Sequence, residues 1–570
     1  MPPKRSRAAS NAQPPPSRSR AAARADGQVD DQPPAAKRVL RAAPSNVDVS
    51  KPDPAADAKA PKAPAKSKSF TSEKPKPDNP KTEKPKLKAE RSRTSDKGKA
   101  PARPRKVAQA LNALPAAPQH YRPPLQLFSW GSGEMAQLAM DYNMEITKPR
   151  KNAFVAEGIA DGIFGGDEAG LEAIAAGGLH TLFVDEKGTV WSCGTNDLGA
   201  LGRVTVNMPD PKNDQMAIEV DEKTQEPVWK PVPVHTLVEE GFRAVQIVAG
   251  DNFSVAINDK GELRAWGSFR GNEGIVGFSS SSQRQYTPVP VLELKDEKWV
   301  SAASGNNHLI LLTDMGNIYT MGTGEEGQLG RRVIERRKIA GTTPEKIHLG
   351  TRSRKAVLVG AGNNHSFAVD EEGDVWGWGV NSYGQTGTGL ADKNINKEVH
   401  APTRVHGLGK VDLGGATVVQ IAGGDFHTLF RSSDGRVYAC GMSAEGRLGL
   451  AANDPALQDR QWDDCVPEPV RVTFSDANDP VVHVACGTNN NLAVTRSGAL
   501  LTWGRQVVGE LGLGWDEGDP NEQLTPEVVV RKEGGSWTAV DASCGGQHCL
   551  ALLRNKATPA IPVVADRPGR

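Results

Sequence analysis

Four sets of residues in this 570-residue chain have types and spacing that could do chemistry. The segment SFRGNEG (268–274) gathers Arg270, Asn272 and Glu273 on one glycine-flanked loop. These are hydrogen-bonding and ion-pairing groups, suited to pressing on a polar partner. A G-x-x-H turn recurs along the chain, with His180, His308, His365, His427 and His548 at its fourth position and Phe253 and Asn490 in the two other copies. Five histidines in seven equivalent turns point to hydrogen bonding within the architecture rather than to five proton-transfer sites. Basic runs KRSR (4–7), KRVLR (37–41) and RPRK (103–106) supply Lys4, Arg5, Arg7, Lys37, Arg38, Arg103, Arg105 and Lys106, which suit nucleic-acid phosphate or a nuclear localisation signal. A further basic island runs from Arg331 to Lys355 and ends in TRSRK (351–355), where arginine could pair bidentately with carboxylates.

Other chemistry is set aside. GTGEEG (322–327) is a literal G-x-G-x-x-G, but it follows a hairpin strand and lacks the βαβ setting of a dinucleotide site. No nucleophile with an adjacent base, paired catalytic carboxylates or His/Cys ligand cluster stands out, so neither a covalent reaction, a cofactor nor a metal is expected.

The charge balance separates two regions. The formal net charge is +1, yet residues 1–106 hold 27 Lys/Arg against 11 Asp/Glu, leaving 42 basic and 57 acidic residues in 107–570. The basic arm also carries 18 of the 41 Pro, two of the 60 Gly and one aromatic, Phe70. Such a segment cannot bury enough apolar surface to offset its ordering entropy and is predicted disordered. No run of 18 apolar residues exists and the N-terminus lacks an apolar stretch, so a soluble intracellular protein without a membrane partner is expected.

The acidic body must position these groups through a repeat. In six copies a first Gly (177, 250, 305, 362, 424, 487) is followed by a second eleven residues on (188, 261, 316, 373, 435, 498) and a third six later (194, 267, 322, 379, 441, 504). Each copy reads as a β-hairpin, its turn glycine supplying positive φ, and is followed by a G-x-L-G element such as GALG (199–202) or GQLG (327–330). Spacings near sixty residues hold about four strands, which suits radial blades. Two half-repeats remain, LFSWG (127–131) and ASCGGQHCLALL (542–553), and joining them gives one composite blade. The expected fold is all-β, a seven-bladed propeller over 119–555, between a disordered arm (1–118) and a tail (556–570). The third glycine lies five residues before its G-x-x-G element in five copies, but seven before it at Gly267 to Gly274. This two-residue insertion is unique to SFRGNEG, and surface loops also tolerate such insertions without a functional reason.

The repeat, with SCGTNDLGALGR (192–203), WGSFRGNEGIVGF (266–278), ASGNNHLILLT (303–313) and GTGEEGQLGR (322–331), resembles the regulator of chromosome condensation repeat family across 120–555. The resemblance implies a chromatin-bound nuclear protein that promotes guanine-nucleotide exchange on the small GTPase Ran by differential binding, in support of nucleocytoplasmic transport and mitosis. It also implies that SFRGNEG is a wedge against the GTPase's nucleotide site, with Glu134, Asp251, Asn307 and His427 facing the GTPase beside Arg270, Asn272 and Glu273. Arg352, Arg354 and Lys355 would contact the histones of a nucleosome, and the arm would engage DNA and a nuclear import receptor. Two residues depart from the pattern: Asn307 stands where Asp is expected, and MAQLAM (135–140) carries alanine where other copies carry glycine. A chromatin- or protein-binding adaptor of the same family without exchange activity is the alternative, and the insertion at 268–274 argues against it.

Overall fold

The computed structural model describes residues 109–556 except 141–144, 167, 211–212, 352–353, 391–396, 459 and 515–517. The basic clusters at 4–7, 37–41 and 103–106, Arg352, and most of the expected arm and tail lie outside the described residues. Within them the chain forms the expected propeller of seven four-stranded antiparallel sheets.

Whole repeats build their blades in sequence order. Blade 2 pairs Leu171–Ala176, His180–Asp185, Val190–Gly194 and the short Val232–Pro233. Blade 1 is composite, with Ile146–Lys151 and Gln126–Gly131 completing the sheet of His548–Asn555 and Trp537–Cys544. Trp130 stands opposite Cys549 across that joint, which ties the two ends of the ring. The second strands HTLFVD (180–185), HLILLT (308–313) and HSFAVD (365–370) are buried at every position. Both faces of each sheet pack on neighbouring blades, so these strands read as continuous apolar runs instead of alternating ones. Trp130, Trp266, Trp378 and Trp503, equivalent in the repeat, are fully buried between blades.

The third glycine is a steric requirement. Gly194 and Gly267 have φ of 110° and 102°, and a Cβ on either would stand 2.5 or 2.3 Å from a backbone oxygen. Only glycine lets the third strand leave the sheet there.

Strand direction sorts the loops. In blade 2 His180 pairs with Gly194 and Leu171 with Asp185, so the G-x-x-H turns and the loops after the third glycine share one end, the turn face. The hairpin glycines and blade-to-blade connections share the other, the hairpin face.

The described chain begins on the hairpin face. Leu111 and Leu114 lie over Gly316 and Gly261, and the Asn112 amide donates to the Thr313 and Ala356 carbonyls at 3.0 Å each. Arg122 grips Glu186 at 2.8 and 2.9 Å. The domain boundary expected after residue 118 therefore falls inside a packed strap that runs from blade 4 to blade 2. The polar, proline-rich composition around it hides these few anchoring residues.

Candidate functional site at the turn face

Two rings of hydrogen bonds fix the turn face. In the inner ring the second residue of a G-x-x-H turn donates its N–H to the next turn: Gly178 to Gly250 (3.1 Å), Asp251 to Asn306 (2.9 Å), Asn306 to Asn363 (3.0 Å), Asn363 to Gly424 (2.9 Å), Asp425 to Thr488 (3.1 Å) and Gly546 to Gly177 (3.1 Å). The cavity inside it, with Asp251, Cys486 and Cys544 in its lining, measures about 140 Å³, well below the roughly 300–1,000 Å³ of a small-molecule site. Among the described residues no three His, Cys, Asp or Glu gather as metal ligands.

In the outer ring each histidine bonds to the following blade. His180 Nε2 meets Ser254 at 2.8 Å, His308 meets Ser366 at 2.8 Å, His365 meets Thr428 at 2.7 Å, His427 meets Asn491 Oδ1 at 2.8 Å and His548 meets Thr181 at 2.8 Å. The hydroxyls in turn donate to carbonyls in the preceding blade's loop: Ser254 to Ala200, Ser366 to Gln328, Thr428 to Gln385 and Thr181 to Gln137. A hydroxyl has one proton to give, so Nε2–H of the histidine is the donor in these pairs. Burial lowers all five imidazoles, to about 4 for His180 and His427 and about 3 for His308, His365 and His548, which keeps them neutral. His427 is fully buried within this ring. It can influence a partner only through the Asp425–Phe426 turn that it supports, not by the direct contact expected for it.

The ring lacks its polar pair where the insertion sits. At the junction of blades 3 and 4, Phe253 and Leu309 occupy the histidine and hydroxyl positions, and Met321 replaces the buried tryptophan. Blade 4 thus offers no hydroxyl or indole N–H there that would need a carbonyl from blade 3's loop. The loop folds otherwise, as a hairpin of Phe269–Gly271 paired with Gly274–Gly277. Phe269 packs on Phe253 with centroids 4.7 Å apart and stacks on Phe278 at 6.3 Å. The Phe253 departure and the two-residue insertion are one structural feature.

The hairpin's tip carries Arg270, Asn272 and Glu273, all exposed. It is held from blade 4. The Arg270 N–H donates to Asn307 Oδ1 at 2.8 Å and the Asn272 N–H to Glu325 at 2.7 Å. Lys338 Nζ then bridges Glu325 (2.6 Å), Glu335 (2.8 Å) and Glu273 (3.2 Å). Sequence reasoning missed Glu325 and Lys338, which reach the hairpin tip from the next blade. Burial raises the Asp251 carboxyl above its ordinary range, against the pull of Arg270 and of hydrogen bonds from Asn252 and Asn307. A second carboxylate at 307 would crowd Asp251 with like charge, which gives the neutral Asn307 a local reason. Burial and the nearby Glu398, Glu325 and Asp425 also raise Glu326, so the rim from blade 3 to blade 6 is acidic.

Glu134 is exposed on the corresponding loop of blade 1. The alanines of that loop adopt the glycine conformation, with φ of 64° at Ala136 and 58° at Ala139. Glu134, Asp251, Asn307 and the hairpin tip thus share the turn face.

The basic island is not one patch, because strand Glu345–Ile347 crosses the blade between its parts. Arg331 to Lys338 follow the GQLG loop beside the hairpin. Arg354 and Lys355 lie at the hairpin face, where Arg354 binds Asp370, Glu372 and Asp374 at 2.9, 2.9 and 2.8 Å and Lys355 donates to Asn317 at 2.6 Å.

Comparison with known proteins adds to this geometry. A family model described as the RCC1-like domain matches residues 126–551. Protein pim1 of Schizosaccharomyces pombe is 32% identical over 449 residues, covering 78% of this chain and 76% of its own. The guanine nucleotide exchange factor SRM1 of Saccharomyces cerevisiae is 31% identical, covering 75% of this chain and 87% of its own. Two crystal structures of yeast Prp20 are similar at 28% identity. One, described with its binding to Gsp1p and histones, has a TM-score of 0.65 over 77% of this chain and 94% of its own. The other, bound to Kap60, has a TM-score of 0.66 over 83% and 97%.

Proposed function

The chain belongs to the RCC1-like domain family, and from that premise we propose that it is a guanine-nucleotide exchange factor for the small GTPase Ran, held on chromatin in the nucleus. The observation that carries this reading is the hairpin at 269–277, which stands in place of the G-x-L-G loop and is pinned from the next blade by Asn307 and Glu325. A GTPase holds GDP through phosphate-loop amides, a lysine and Mg²⁺. A partner that binds the distorted, nucleotide-free form more tightly lowers nucleotide affinity by linkage.

In this reading Arg270, Asn272 and Glu273 press on the nucleotide site, while Glu134, Asp251 and Asn307 hold the GTPase on the acidic rim. A wedge fixed at two backbone N–H groups keeps its shape on contact, so the distortion falls on the GTPase. No bond is made or broken in the protein, and GTP replaces GDP because it is in excess. The name of SRM1 and the study of Prp20 with Gsp1p support the activity, and the histone and Kap60 studies support nucleosome and import-receptor partners.

Arg354 is already paired with three carboxylates, so the nucleosome contact falls to Arg352 and Lys355. The basic clusters of 1–106 would engage DNA phosphate and the import receptor. Release of fluorescent GDP from Ran tests the reading: acceleration is expected, and release at the intrinsic rate would refute it.

A further inference from the structure

Between the GALG loop of blade 2 and that blade's outermost strand lies the insert 204–230, to which the exchange reading gives no task. It forms a two-stranded ribbon, Thr205–Asp210 paired with Asn213–Asp221, and joins none of the seven blade sheets.

The ribbon's root is firmly built. Buried Arg203 reaches Asp221 at 3.2 Å, the Ser192 hydroxyl at 3.2 Å and the Ser192 carbonyl at 3.3 Å. Asp221 also accepts the N–H groups of Lys223 and Thr224 at 3.0 and 2.7 Å. The Asn196 amide ties the Arg203 carbonyl to the Thr205 hydroxyl at 2.8 and 3.0 Å. So deeply buried an ion pair is costly to break, and it fixes the base from which the ribbon leaves the blade.

Past the root the ribbon has an apolar face. Val206 pairs with Val220 and Met208 with Ile218, so these four side chains share one side. Val220 is buried, whereas Met208 is 40% and Met216 60% exposed. A two-stranded ribbon is only marginally stable alone, and methionine is an adaptable contact residue. Bare methionines on a rigid root describe a docking surface.

We propose that this ribbon is a second contact arm for the GTPase that the wedge engages, its Met208 and Met216 packing on an apolar patch of that partner. The proposal rests on the exchange reading. Its position chooses the occupant. The ribbon springs from the GALG loop and so leaves on the turn face, and Gly199 of that loop packs on Gln285 and Tyr286 of blade 3, the blade that carries the wedge. Wedge and ribbon therefore rise from adjacent blades on one face, where a single partner meets both.

The test is steady-state exchange on Ran with the full chain, a Met208→Ser/Met216→Ser variant, and a variant in which 207–219 are replaced by Asn-Gly. The second variant keeps the Val206–Val220 pair and the Arg203–Asp221 root, and Asn-Gly closes the shortened hairpin. Both variants should raise KM about 10-fold with kcat unchanged, because truncating a contact arm weakens association and leaves the wedge intact. A full chain that accelerates release while both variants keep its KM overturns the ribbon proposal alone. A full chain without activity removes the exchange reading and the ribbon proposal together. Unchanged KM with loss of self-association in sedimentation would assign the ribbon to a second copy and equally overturn it.

Discussion

The backbone N–H of Asn272, at the tip of blade 3's hairpin, donates to the Glu325 carboxylate of blade 4 at 2.7 Å. This bond crosses a blade boundary that lacks the histidine–hydroxyl pair, so the element lifted out of the ring's pattern is secured by a different one. Glu325 is in turn held by Lys338 at 2.6 Å. The hairpin is therefore a pre-shaped projection, and pre-shaping is what a wedge requires if binding energy is to distort the partner.

Glu325→Ala should leave the propeller folded but loosen the tip. Stopped-flow exchange is expected to show kcat down by about 10-fold or more with KM little changed, since misplaced contact groups act on the distorted state. Glu325→Gln, which keeps an acceptor for the Asn272 N–H, should retain most of the rate. Equal loss in both variants would contradict a positioning role.

Asp251 is expected to act on association. Asp251→Ala should slow GTPase binding several-fold, about 10-fold at low salt, with the difference shrinking as salt rises. Surface plasmon resonance over a salt series measures this, and a salt-independent loss would assign Asp251 to turn structure instead.

Stability should depend on pH through the histidine ring. These imidazoles titrate at about 3 to 4 in the folded protein against 6.5 ordinarily, so the unfolded chain takes up protons first. Their contribution is complete above about pH 6.5, falls as pH drops toward about 3 and levels off below that. His308→Phe with Ser366→Leu copies the Phe253–Leu309 pair, and Gln328 keeps its bond from Trp378 Nε1 at 2.9 Å. Over this window the variant's Tm should fall less steeply than the wild type's, as one of the five buried histidines is removed. The raised buried carboxyls of Asp185 and Glu172 have the opposite sign but are common to both proteins. Identical slopes would contradict the ring's role.

Ala136 and Ala139 occupy a left-handed backbone at 64° and 58° that the other blades give to glycine. Each costs about 1 kcal/mol or more there, partly offset by glycine's larger entropy when unfolded. Ala136→Gly and Ala139→Gly should each stabilise by about 0.5 kcal/mol, read as a higher urea midpoint with an unchanged slope. Destabilisation by both would refute the strain.

The ring was legible in the sequence because glycines at fixed spacing report a backbone requirement that no other residue meets, and the half-repeats LFSWG and ASCGGQHCLALL stated how it closes. The insertion at 268–274 was legible as an offset of two, but not as a hairpin. Phe253 was visible as a departure, but its link to the insertion depends on Leu309 and Met321 across the junction. The Glu325–Lys338 staple and the Leu111–Asn112 strap join residues whose neighbours in sequence say nothing about their partners in space. The family resemblance implied that His427 faces the partner; burial of the fourth position becomes evident only when adjacent blades are packed together. The island from Arg331 to Lys355 looked continuous because a strand of three residues between its halves leaves no trace in composition.

One measurement bears most directly on the account: release of fluorescent GDP from Ran by the full chain, beside a variant whose wedge is shortened by deleting Asn272 and Glu273 to restore the spacing of the other blades. The full chain should raise the release rate about 100-fold over the intrinsic rate, within the range of coupling between two ligands of one protein, and the shortened chain should lose most of it while still binding the GTPase. Release at the intrinsic rate, or full activity without the wedge, would contradict it.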